Sequence, residues 1–160
     1  MGLDITAYSK LKPCGSHESE PDECWNQGHI DIYAGGPNMV ERLDGHKEGC
    51  YRAAEGSREL SFRAGSYSGY NAWRDELSEL AQGRPAEEVW ADPQGPFAEL
   101  IYFSDCKGSI GPNTSAKLLL DFREFSAKAR RQQDLFFMEL YELWLRAFKL
   151  ASDGGMVVFH

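Results

Sequence analysis

The stretch 62-FRAGSYSGYNAWRDEL-77 changes its period halfway along. Just upstream and into it, Leu60, Phe62 and Ala64 alternate with polar residues, the period-two pattern of a strand with one buried face. Downstream, Tyr70, Trp73, Leu77 and Leu80 recur at helical spacing, with Ser68 available as an N-cap and Gly83-Arg84-Pro85 as the stop. A strand over 60–64 therefore passes through Gly65-Ser66-Tyr67-Ser68-Gly69 straight into a helix over 69–82.

Toward the N-terminus the period of two returns twice. Leu3, Ile5 and Ala7 predict a strand over 3–8, and Ile30, Ile32 and Ala34 predict another over 29–34, closed by the turn residues of GGPN. Between them lies CGSHESEPDECWNQG, polar and broken by Pro21 and Gly28, which reads as a solvated acidic surface. Toward the C-terminus, a linker with Pro85, Pro93, Gly95 and Pro96 precedes FAELIYF, which reads as a short helix through Phe97, Leu100 and Ile101 or as a strand, the helix being preferred. The cap cluster Asn113-Thr114-Ser115 opens a helix over 115–130 with Leu118, Phe122, Phe125 and Ala129 on one stripe. The longest apolar stripe, from Phe136 to Ala151, predicts a helix over 132–152 that breaks at Asp153-Gly154-Gly155. MVVFH then reads as a strand over 156–159, apolar throughout and so internal to its sheet. The expected fold is α+β: one domain over 1–160, a single small, mainly antiparallel sheet, and about three to four helices packed on one face.

A chain of 160 residues with 42% hydrophobic content is long enough for one ordinary core. Its formal charge of −8 argues against direct nucleic-acid binding, which depends on neutralising phosphates, and favours a basic protein partner or plain solubility. No apolar run reaches the length of a membrane helix and no basic-then-apolar leader opens the chain, so a cytoplasmic protein without a membrane partner is expected. On that expectation Cys14, Cys24, Cys50 and Cys106 are reduced thiols.

Four places offer chemistry. The turn 65–70 crowds amides, hydroxyls and rings at a strand-to-helix junction, where Ser66, Tyr67, Ser68, Tyr70, Asn71 and either Arg63 or Arg74 are candidates for binding an anion. Tyr67 and Tyr70 add aromatic faces for a base or sugar, so a nucleotide-like ligand is the concrete form of this expectation. The turn has neither dinucleotide spacing nor a P-loop lysine, and its plain alternative is that the glycines only let the chain turn. The loop 103-FSDCKGSIGP-112 has the look of a calcium loop around Gly108, but only Asp105 among the ligand positions is a carboxylate, so a tight connection between two helices is expected. Within it Asp105 would satisfy loop amides, and Cys106 is either a buried small residue or, beside a histidine, a nucleophile. Cys14, His17, Cys24 and either His29 or Cys50 are zinc-capable donors in a poor framework, so no metal is assigned, and no cofactor motif is present.

Taken as strings, MGLDITAYSKL, FRAGSYSGYNAWRDEL, ELIYFSDCKGSIGP and LWLRAFKLASDGGMVVFH resemble a family of small uncharacterised bacteriophage and prophage proteins. The resemblance covers the greater part of the chain, leaves out the region of Cys14 to Cys50, and implies a setting without an activity. The expected function is therefore that of a non-enzymatic phage accessory protein that binds a host protein or a small ligand. One form of it occupies a host defence complex with its acidic surface. The alternative is a small enzyme in which Asp105, Cys106 and His160 share a pocket with the 65–70 turn.

Overall fold

Strand β1 (Leu3–Tyr8) buries Leu3, Ile5 and Ala7 on one face, as its alternation requires, and is held on both sides. Antiparallel to it run β5 (Glu59–Gly65) and β7 (Met156–Phe159), and β6 (Gly108–Ile110) pairs with β7, giving the order β5-β1-β7-β6. The computed structural model describes residues 1–15 and 28–160. The acidic loop, with His17 and Cys24, lies outside the described residues.

The face of this sheet that carries Leu3, Ile5, Ala7, Val157 and Phe159 is covered by α1 (Tyr67–Gln82), α4 (Pro112–Arg131) and α5 (Leu135–Ala151). Two short helices, α2 (Ala86–Ala91) and α3 (Ala98–Ile101), fill the connection between α1 and β6. Trp144 is the hub of this core, with ring centres of Phe62, Tyr70, Trp73, Phe148 and Phe159 within 5.2–6.1 Å of its own.

The architecture is α+β, with the strands divided between two antiparallel sheets where one is expected. The second sheet, β2 (Leu11–Pro13), β4 (Gly49–Ala53) and β3 (Ile30–Ile32) in the order β2-β4-β3, packs on the other face of the first. It does so through Ile32 and Tyr51 together with Leu43 from a 3-10 helix, Pro37–Leu43, against Met156 and Val158. That cover explains β7: both neighbours are strands, both faces are packed, and all four residues are buried.

The loop expected simply to join two helices contains β6, whose three residues pair with Phe159, Val158 and Val157. Gly108 makes this possible: its φ is 135°, and a Cβ there would lie 2.9 Å from the Ala34 carbonyl oxygen and from the Phe103 ring. Asp44 caps α4 from outside, its carboxylate accepting from the Thr114 amide at 2.8 Å and the Thr114 hydroxyl at 2.7 Å, so the 3-10 helix is tied to the helical layer.

The expectation of reduced thiols is corrected at one pair. The β2–β4 register carries past Pro13↔Tyr51 to a hydrogen bond donated by the Cys14 amide to the Cys50 carbonyl, the Cα atoms stand 5.5 Å apart, and the side chains form a disulfide. Both leave the zinc donor set. We expect thiol labelling of the native, unreduced protein to modify the exposed Cys106 and to spare Cys14 and Cys50 until a reductant is added. Labelling of Cys14 or Cys50 without reduction would contradict the pairing.

Candidate functional site

The strand-to-helix turn forms as expected, two residues earlier than Ser68 would place it. Ser66 is the N-cap of α1, accepting from the Gly69 amide at 3.0 Å, with its backbone carbonyl taking the Tyr70 amide. Ser66, Tyr67 and Ser68 are exposed, whereas Tyr70 and Arg74 point inward and are almost fully buried. The Arg74 guanidinium donates to the carbonyls of Ile101 at 3.1 Å and Phe103 at 2.7 Å and to the Asn71 side chain, and it lies over the rings of Tyr70 and Trp90. Arg74 is thus neither an anion contact at the turn nor a surface partner of Asp75, Glu76 or Ser78. Arg63, on the opposite face of the first sheet from the helices, pairs with Asp4 at 3.4 Å.

The structure does bring this turn to the 103–107 loop. Asn71 donates to Asp105 at 2.9 Å and accepts from Arg74, so arginine, amide and carboxylate form one chain. Asp105 therefore holds α1 in place, and the loop amides of Cys106 and Lys107 are taken by the Ser104 hydroxyl instead. Burial raises the Tyr70 phenol to about 12, with Arg74 opposing and Asp105 adding to the shift. The folded state favours the neutral phenol, so this contribution is full below pH 10.0 and is lost as pH rises through about 12. A Tyr70→Phe variant is expected to lose stability less steeply than wild type between those values in urea titrations. Parallel pH profiles of the two proteins would contradict the assignment.

Asp105, Cys106 and His160 do not converge. Cys106 is exposed rather than buried, with Ser104 Oγ 3.5 Å from its sulfur, and it lies near Tyr33. His160 Nε2 is 2.8 Å from Thr6 Oγ1, on the sheet face opposite the helices, where Ser61 also donates to Thr6 at 3.2 Å. Each of the three is engaged by a different neighbour, and no hydrogen bond or ion pair joins them.

A concave site not anticipated from the sequence lies where three turns meet. Ser9 and Lys10, between β1 and β2, are bonded on one side to the turn before β5 and on the other to the turn after α5. Ser9 N donates to Arg58 O at 3.0 Å, Arg58 N donates to the buried Ser9 Oγ at 2.8 Å, and Lys10 N donates to Asp153 O at 2.8 Å. These backbone bonds frame a cleft of about 720 Å³ lined by Lys10, Arg58, Arg146 and Lys149, with Glu59 and Asp153 as its carboxylates among the described residues. The four cations are exposed and make no ion pair or side-chain hydrogen bond among the described residues. Several cations elsewhere do have partners: Lys117 bonds Glu99 and Asp121, Arg130 bonds Glu142, Lys128 bonds the Leu80 carbonyl, and Arg84 bonds carbonyls of the α2 segment. In a chain of net charge −8, four unpaired cations lining one cleft concentrate positive potential there. The sequence carried one trace of it: Arg146 and Lys149 share a face of α5, and Glu142, one turn before Arg146, is turned to Arg130 instead.

Among the described residues no cluster of three or more His, Cys, Asp or Glu side chains is placed to hold a metal, and no helix is long and apolar enough to cross a membrane. No protein-family model, no curated protein and no solved structure matches the chain, and the chemistry that suggests a role for it is its own.

Proposed function

We propose that the protein is a non-enzymatic binding protein that takes a small anionic ligand in the cleft between the β1–β2 turn, the start of β5 and the end of α5. In this proposal it acts in the phage or prophage setting that the sequence resemblance implies, and the Cys14–Cys50 disulfide sets aside the cytoplasmic expectation, since a reducing compartment keeps such thiols free. The observation that carries it is the set of four uncommitted cations, Lys10, Arg58, Arg146 and Lys149, on one rigidly bonded frame. Guanidinium groups fit phosphate and carboxylate oxygens in pairs, and ammonium groups add charge, so the cleft is suited to such an anion. Binding is preferred over catalysis because Asp105, Cys106 and His160 are held by Asn71, Ser104 and Thr6 respectively. A host protein as partner is the second reading, favoured by Leu135 and Phe136, which stand exposed side by side at the start of α5.

Isothermal titration of wild type with sodium tripolyphosphate tests this. Binding at low salt that weakens as salt is raised, and that is lost in the Arg146→Ala/Lys149→Ala double variant, is the expected result. Absence of heat at millimolar anion, or binding unchanged in the double variant, would contradict it.

A further inference from the structure

Resting on that cleft as the binding site, we infer that its ligand carries several phosphoryl groups and is recognised by them alone, with no nucleobase read. The cations come from separate walls of the cleft: Arg146 and Lys149 are one turn apart on α5, separated by roughly 5 Å along its axis, while Lys10 comes from the β1–β2 turn and Arg58 from the turn before β5. A single phosphate cannot match four cations in charge, whereas a chain or cluster of phosphates carries several negative charges to set against them, with two carboxylates in the lining among the described residues. Glu59 and Asp153 repel phosphates where they stand and so confine the phosphoryl groups to the cationic side chains. Among the described residues no aromatic ring lines the cleft. Its apolar surface is Leu60 and Leu150, and Tyr70, on which a base was expected to stack, is buried in the core. The stacking platform on which base-tolerant nucleotide sites depend is therefore missing from this lining.

The experiment uses wild-type protein at one fixed ionic strength, without divalent cations, titrated in turn with orthophosphate, pyrophosphate, tripolyphosphate and the four nucleoside triphosphates ATP, GTP, CTP and UTP. Affinity is expected to climb by about tenfold or more from orthophosphate to tripolyphosphate, with the four nucleotides within about threefold of one another. Lys10→Ala, Arg58→Ala and Arg146→Ala are each expected to weaken tripolyphosphate, since every wall contributes. One nucleotide binding about tenfold tighter than the other three would overturn the inference while leaving the cleft as an anion site. So would orthophosphate matching tripolyphosphate, or only one wall responding to mutation. Failure of every anion at millimolar concentration would instead remove both the inference and the site beneath it.

Discussion

Arg74→Met is expected to destabilise the protein by about 2–6 kcal/mol, since each of two buried acceptors left without its donor costs about 1–3 kcal/mol. Methionine is close in volume, so the loss is not a cavity. It comes from the Ile101 and Phe103 carbonyls, which are left without the Arg74 donors, and from the end of the link through Asn71 to Asp105. The guanidinium also closes the space between Tyr70 and Trp90, and its removal loosens α2 against the body. Arg74→Lys keeps the charge but lacks the planar fork, so about half of the loss is expected to remain. Urea unfolding of the three proteins decides this, and a cost under about 1 kcal/mol for Arg74→Met would show that the buried arginine is not the tie between α1 and the 101–105 segment.

The second large effect concerns the cleft and should leave stability alone. Arg146→Glu combined with Lys149→Glu changes the sign of one wall, and affinity for tripolyphosphate is expected to fall at least about 100-fold, close to 2.7 kcal/mol of binding free energy. Both side chains are exposed and unpaired, so the unfolding free energy should change by no more than about 0.5 kcal/mol. Charge reversal at Arg123 and Arg131, exposed cations on α4 outside the cleft lining, controls for net charge and should weaken binding only a few-fold. Equal losses from the two pairs would mean that the anion feels the protein's overall charge and no particular site.

Elements with several alternating or helically spaced apolar residues were legible in the sequence: β1, β5, β7, α1, α4 and α5 fall where the pattern puts them, within three residues at each end. What escaped has too few positions to show a period. β2 and β6 have three residues each, β6 is buried on both faces and so has no polar alternation, and β4 buries only Tyr51. Without β2 and β4 there was no sign of a second sheet, and the cover on Met156 and Val158 was invisible. The 3-10 helix hid behind Pro37, which reads as a turn. At the 65–70 turn the sequence shows which residues crowd together but not which way they point. Tyr70 and Arg74 lie on the same stripe as Trp73 and Leu77, and Arg74 enters the core because two carbonyls at the end of α3 need donors. The cleft was out of reach for a different reason: positions 10, 58, 146 and 149 meet only through the closing of β1 between β5 and β7, which no local spacing encodes.

Amide chemical-shift mapping during a tripolyphosphate titration tests the central claim most directly, because it asks where the anion sits without presuming a site. The shifts are predicted to concentrate at Ser9, Lys10, Gly56, Arg58, Lys149 and Asp153, which frame the cleft, with little change at Ser66 to Tyr70. Shifts concentrated at Ser66 to Tyr70 and the 104–107 loop, with the cleft residues unmoved, would contradict it and return the site to the strand-to-helix turn.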